Sequence, residues 1–428
     1  MIRPIGATGF VVAIGLVLPA CHQQSGPPQF GGPPADSGFG SLDAGQPLAD
    51  AGSMAWADAG IPLPPQVLFG TNGVILASPE VVPIFFTNDD STTPGETMSF
   101  LNALAVSSYW PATTEEYGVG SLTIHAAVTD GAASSMGGGQ IVGWLENEIS
   151  AQRIPAPGSG TIYVLHFPTG IDVGQGGGAS CLNFAGYHAD DMLSDGTPLA
   201  YAVLPRCSSA DTGLPNDFEV LATSEVHEIV ECATDPFPDF NPAWYQVDNG
   251  HLYWDIVFGG SEIADMCEND PEAYVQAPDI GHYVQRIWSN AQALGGHDPC
   301  RPGLQGEVYF NTVPELPDAI VVDDNGTTGT SFGINIPLNQ SKTITVDFFA
   351  DGDTSGPWNV QAQDVNVWNG GTPTMHFSPD SFTGQNGDRV QLTITPTTRG
   401  QGGQDYFVLT STNGNMEQHL WFGLVGGE

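Results

Sequence analysis

The residues best placed to do chemistry are His227, Glu228 and Glu231, in the stretch Ser-Glu-Val-His-Glu-Ile-Val-Glu-Cys that runs from Ser224 to Cys232. On a helix, side chains four residues apart share a face, so His227 and Glu231 can converge on one ion. Zinc takes imidazole nitrogen and carboxylate oxygen together, and a catalytic zinc keeps three protein ligands with one position left for water. Glu228 stands where zinc peptidases with a His-Glu-x-x-His helix place the general base that takes a proton from the attacking water. Glu231 occupies the place of that motif's second histidine. A carboxylate leaves the site less positive, so the water is less acidic and the need for a base grows. The competing reading is two solvated glutamates and a satisfied histidine on an acidic helix.

A zinc site needs a third ligand, and Glu262-Ile263-Ala264-Asp265-Met266-Cys267 offers one downstream of the helix. Glu262 is the expected ligand and Asp265 the acid that holds a ligand histidine by its second nitrogen, with the two roles exchangeable. The chain has 6 cysteines. With Cys21 assigned to processing, the expected bridges are Cys267–Cys300 and Cys181–Cys207, leaving Cys232 as a buried thiol. A Cys267–Cys300 bridge brings Gly296-His297-Asp298-Pro299 near, so His297 is a candidate fourth ligand or oxyanion stabiliser. His188 and His251 are weaker candidates, each reading as an ordinary loop histidine.

These residues must be positioned by a fold, and the chain is long enough at 428 residues for two domains with their own cores. Acids outnumber Lys plus Arg by 48 to 8, giving a formal net charge of −40. Nucleic acid is excluded as a partner on that balance, because phosphate binding needs clustered cations. Residues 1–21 read as a lipoprotein signal: Arg3, a short apolar run from Gly9 to Leu18, then Leu18-Pro19-Ala20-Cys21 with Cys21 lipidated. The expected location is therefore the outer membrane or cell surface of a bacterium, with membrane contact through the lipid alone. Residues 22–64 read as a disordered linker, with Gly-Pro-Pro twice and Asp-Ala-Gly at Asp43, Asp50 and Asp58.

From 65 to 302, apolar runs at 81–86, 122–128, 161–167 and 199–204 predict strands, and periodic stretches at 94–109, 140–152 and 219–232 predict helices. Their alternation predicts an α/β domain, a zincin-like layer with the motif helix on a sheet. Residues 303–428 carry short β-rich runs between Gly, Asn and Asp turns, which predicts an all-β sandwich.

Several blocks resemble the Exordium-like, phosphate-induced protein family of plant cell walls and its secreted bacterial relatives. They are Val81–Phe86, Cys181 through Gly186-Tyr187-His188, Ala200–Val203, His227–Glu231 with Asp235-Pro236, Ala243-Trp244-Tyr245, Glu262–Cys267, and Tyr283–Ser289 ending at Cys300. Their order agrees with the family over residues 67–302. The resemblance implies an exported, surface-associated protein and a His-Glu helix of zincin-like kind, without a reaction attached. Cys232 departs from the small residues usual after the motif.

Three functions follow. The first is a zinc-dependent hydrolase, peptidase-like, acting on a peptide or cell-wall polymer with zinc on His227, Glu231 and Glu262 and with Glu228 as base. The second is a non-enzymatic surface protein in which the same residues hold a structural metal or a histidine–carboxylate network. The third, a carbohydrate-active enzyme, would use Trp244, Trp254 and Trp288 for sugar stacking and two carboxylates across a cleft. Oligomeric state is not legible in the sequence.

Overall fold

The apolar runs in Glu-Val-Val-Pro-Ile-Phe, Thr-Ile-Tyr-Val-Leu-His and Pro-Leu-Ala-Tyr-Ala-Val-Leu are too continuous to turn one face to water, and they become inner strands of one sheet. The computed structural model describes residues 60–175, 178–210, 212–304, 306–324, 327–400, 403–414 and 417–427. The signal segment with Cys21, and the linker as far as residue 59, lie outside them.

The sheet is built from β1 (Glu80–Phe85), β2 (Thr123–Ile124), β3 (Val128–Thr129), β4 (Thr161–His166), β5 (Tyr187–Met192) and β6 (Pro198–Leu204). Their order is β2-β1-β4-β6-β5, with β3 also on β1. All pairs are parallel except β5 on β6, where His188 lies opposite Ala202. Pro83 is tolerated inside this sheet for a local reason. β2 pairs with Glu80 and Val81, and β3 with Ile84 and Phe85, so the missing N–H of Pro83 falls at the break between them.

Alternate strand residues face opposite sides. Val81, Ile162, Val164 and Ala202 pack with the helices α1 (Thr93–Val106) and α3 (Asp217–Thr234), while Val82, Ile84, Tyr163 and Leu165 pack with α2 (Gly138–Ser150). The motif helix α3 starts at Asn216, whose side chain accepts from the Glu219 amide at 3.1 Å, and stops just before Asp235-Pro236. It is pinned to β4 by His166 Nε2 and Glu225 Oε1 at 2.7 Å, both side chains fully buried, with Phe85 stacked on the imidazole.

The expectation of an α/β zincin-like layer followed by a β-sandwich is corrected here. The chain is mostly β-sheet, 35% strand against 22% helix, distributed over seven sheets among the described residues. Before residue 302 alone, four sheets of two or three strands stand beside the six-stranded one. The physical reason is compositional. With Gly 55, Pro 34 and only 8 Lys plus Arg, most stretches lack the long-chain residues that sustain exposed helix, and the helices other than α1, α2 and α3 run to four or six residues.

From Phe310 onward a four-stranded and a six-stranded sheet share a core in which Phe310 and Phe348 pack on Trp358, with ring centroids 5.3 and 5.1 Å apart. That core continues into the first half of the chain, where Trp254 packs on Trp421 and Phe422 at 5.7 and 5.1 Å. Trp254 and Trp288 are buried there. Neither is available to stack on a sugar.

Both expected disulfides form, Cys181–Cys207 and Cys267–Cys300, and Cys232 is a buried free thiol. Among the described residues, no helix is long and apolar enough to cross a membrane.

Candidate metal centre

Helix α3 supplies three side chains to one buried cluster. His227 Nε2 lies 3.0 Å from Glu231 Oε2, the i and i+4 neighbours of one face. Glu228, on the adjoining part of the helix, is buried against Gly186; a Cβ at that position would stand 2.7 Å from Glu228 Oε1, so only glycine lets the carboxylate sit there. From the edge strand β5 comes His188, whose side chain is 7% exposed. Its Nδ1 lies 3.5 Å from Glu231 Oε2 and 3.7 Å from Glu228 Oε2, and its Nε2 lies 3.6 Å from Glu262 Oε2.

The segment after Gly260 closes the cluster. Asp265 Oδ2 accepts from the Glu262 amide at 3.1 Å, and the Asp265 amide donates to Glu231 Oε1 at 3.3 Å. Asp265 Oδ1 lies 3.6 Å from His227 Nε2. Two residues on, Cys267 ties the segment to Cys300. The structure therefore brings together His227, Glu228, Glu231, Glu262 and Asp265. Asp265 stands beside His227 Nε2, the nitrogen that also faces Glu231, not behind the ring as a partner of its second nitrogen, Nδ1.

That second nitrogen belongs to Gln285, which sequence reasoning missed. His227 Nδ1 lies 3.1 Å from Gln285 Oε1, while Gln285 Nε2 donates to the Ala264 carbonyl at 2.8 Å. The amide is thereby oriented with its oxygen toward the imidazole, so Nδ1 carries a proton and Nε2 is the nitrogen turned toward Glu231. His188 was underweighted for a similar reason. Its signal is position on an antiparallel edge strand, which becomes visible only once β5 pairs with β6.

His297 is not part of the cluster. It is 43% exposed and its Nδ1 pairs with Asp351 Oδ2 at 2.8 Å. The Cys267–Cys300 bridge does bring its segment near in chain terms, but the left-handed turn at Gly296 (φ 79°) precedes it and the ring engages residue 351 instead. His251 pairs with Asp248 at 2.9 Å.

The electrostatics are those of buried acids facing imidazoles. Burial alone would push His188 down, but Glu262, Glu228 and Glu231 outweigh it and hold the ring well above its usual value. His227 is raised in the same way, against burial, by Glu231, Glu228 and Asp265. Burial opposes ionisation of Glu231 too, yet the two histidines bring it down to about 2. Burial pushes Glu262 and Asp265 well above the usual carboxylate range. Cys232, on α3 itself, is pushed up to about 12 by burial and stays a thiol rather than a reactive thiolate.

No protein-family profile and no curated protein matches this chain. Among solved structures, the E. coli chaperone DraB is similar at 12% identity with a TM-score of 0.18, covering 22% of this chain and 50% of that one. The periplasmic chaperone SfaE is similar at 10% identity with a TM-score of 0.20, covering 28% and 56%. A conjugative transposon lipoprotein from Bacteroides eggerthii is similar at 12% identity with a TM-score of 0.17, covering 27% and 95%. The chain thus spans about half the length of the two chaperones. Likenesses this slight carry no argument about its activity.

Proposed function

We propose that this cluster is the metal centre of a hydrolase, with zinc the first expectation. One observation carries the reading. His188 Nε2 and Glu262 Oε2 face each other 3.6 Å apart, both buried and both without a hydrogen-bond partner. Two such atoms side by side need a cation between them or a proton on one of them. The donor set of imidazole and carboxylate suits zinc, and Gln285 keeps a proton on His227 Nδ1, so that Nε2, beside Glu231 and Asp265, is the nitrogen that would give up its proton to bind.

When bound, zinc supplies a Lewis acid that polarises a carbonyl and acidifies water. The chain's own residues do the rest. His227, Glu231 and His188 with Glu262 would hold the ion, and Asp265 braces the Glu262 backbone. Glu228 takes the proton of the attacking water and returns it to the leaving group. Scissile bonds of a peptide or cell-wall polymer fit this chemistry, as amides or esters with a polarisable carbonyl. Two disulfides support an oxidising compartment. They agree with export and with a lipid anchor on Cys21, as does the ordered set of blocks that resembles the Exordium-like family.

A second reading has its own observation. Glu228, Glu231 and His188 are nearly excluded from solvent, which also suits a closed structural ion in a non-enzymatic surface protein. Metal content and turnover of the purified chain separate the two. Expected are bound zinc in the wild type, loss of it in His227→Ala and Glu231→Ala, and hydrolysis of a broad peptide library. Glu228→Gln should keep the metal and lose hydrolysis. Metal without hydrolysis in the wild type favours the structural reading, and a wild type without metal overturns both.

A further inference from the structure

Resting on the metal-centre reading above, we infer that the cluster holds two divalent cations, with Glu231 as the carboxylate shared between them. The donor atoms fall into two groups. One nitrogen of His188, one oxygen of Glu231 and one of Glu262 lie within 4.8 Å of one another. Separately, one nitrogen of His227, one oxygen of Glu228 and one of Glu231 do the same. Neither group contains both histidines. Glu231 alone belongs to both.

The two seats are built from different parts of the fold. His227 comes from α3 and Asp265, 3.6 Å from His227 Nε2, from the segment after Gly260, while Glu228 stands beside this seat as the base. His188 comes from the edge strand β5 and Glu262 from the segment before Asp265. His188 Nε2 points to a seat away from His227: its side chain is more than nine-tenths buried, it has no hydrogen-bond partner, and it is aimed at an equally unpartnered oxygen of Glu262. An ion on His227 leaves that pair of acceptors face to face and unsatisfied.

Charge leads to the same number. Glu228, Glu231, Glu262 and Asp265 bring four negative charges when ionised, and their ion-pair partners among the described residues are histidines, never Lys or Arg. With both imidazoles neutral, as ligands must be, one divalent cation leaves two negative charges buried. A second one neutralises the cluster. Paired ions about 3.5–4 Å apart sharing a carboxylate clamp both the attacking and the leaving oxygen of a displacement. The ligand class is therefore a pair of borderline or hard divalent ions, zinc or manganese, and not a single closed structural zinc.

The test uses the full chain, stripped with chelator and titrated with zinc, with bound metal counted by mass spectrometry after desalting. Two equivalents per chain are expected. Glu262→Gln should retain one, and Glu231→Gln should lose affinity at both seats. One equivalent in the wild type, or two in Glu262→Gln, overturns the pair while leaving the metal centre standing. No bound metal at all sinks the centre itself. Manganese loaded into the wild type gives a reading that no variant's folding can confuse. A spin-coupled signal from two ions supports the shared carboxylate, and an isolated single-ion spectrum at saturation overturns it.

Discussion

Gln285 and Arg286 are neighbours in the chain and serve two buried charge clusters of opposite design. Gln285 turns toward His227 and the acids of the metal centre. Arg286, fully buried, turns the other way: it donates to the carbonyls of Cys300 and Pro302 at 2.6 and 3.1 Å and is ion-paired with Asp298, with Asp270 and Glu307 at 4.0 Å. A guanidinium is always charged, so that cluster carries its own cation as the chain folds. The metal centre has acids in similar number and no permanent cation. The difference separates a cluster that carries its own cation from one that, on the proposed reading, takes a metal ion.

Removing the permanent cation should therefore cost the most. Arg286→Met leaves Asp298 buried without its partner, and unfolding by denaturant should show a loss of about 3–5 kcal/mol whether or not zinc is present. A metal-independent loss under 1 kcal/mol would erase the contrast. The complementary experiment strips the other cluster. With free zinc at a hundredfold excess over its dissociation constant, chelation should remove about 2.7 kcal/mol from the wild type for each ion bound. The same chelation should leave Glu231→Gln unchanged in thermal melts. Equal sensitivity of the two chains would mean that Glu231 binds no ion.

The two clusters also differ in how far they could be read from sequence. His227, Glu228 and Glu231 were legible because helical spacing is local: four residues on a helix place two side chains together whatever else happens. Glu262 and Asp265 were legible as a pair through their proximity to Cys267, though not in their roles. His188 was legible only as a loop histidine and Gln285 not at all, because each sits on a short hairpin, β5 with β6 and His282–Gln285 with Tyr274–Ala277, that reaches the site only by packing against α3. His297 was misplaced because a disulfide fixes two Cα atoms and says little of a side chain three residues away. At the scale of the fold, alternating apolar runs suggested α/β layering. Short sheets such as Val67–Phe69 on Trp244–Val247 have too few residues to show a period, and they shift the balance toward β.

Gln285 sharpens the comparison from the other side, since on the proposed reading it acts on the metal site only by orienting His227. Gln285→Leu keeps the volume but leaves His227 Nδ1 without an acceptor, and zinc affinity should fall 10–100-fold. Gln285→Glu retains an acceptor oxygen and should recover most of it. Nitrogen chemical shifts of His227 in the zinc-loaded chain give the direct readout: the wild type should show Nδ1 protonated and Nε2 ligated, and Gln285→Leu a mixture. Unchanged affinity together with an unchanged tautomer would remove Gln285 from the site.

The smallest expected effect belongs to the Arg286 side and depends on pH. His419 is buried with its ring against Tyr309 and Phe310, and its Nε2 lies 3.6 Å from Glu307. Burial first, and then the Arg286 charge, lower its pKa to about 3 in spite of that glutamate. The folded chain therefore keeps His419 neutral where the unfolded chain, with a value near 6.5, takes up a proton. Below pH 6.5 the unfolded state binds the extra proton, so this contribution weakens as pH falls toward 3 and is fully present above 6.5. Between pH 7 and 5.5 it amounts to about 1 kcal/mol. Stability of His419→Asn, measured in chelator to silence the metal centre, should fall by that much less over the same interval. A parallel pH profile for the two chains would show that the fold does not hold this histidine neutral.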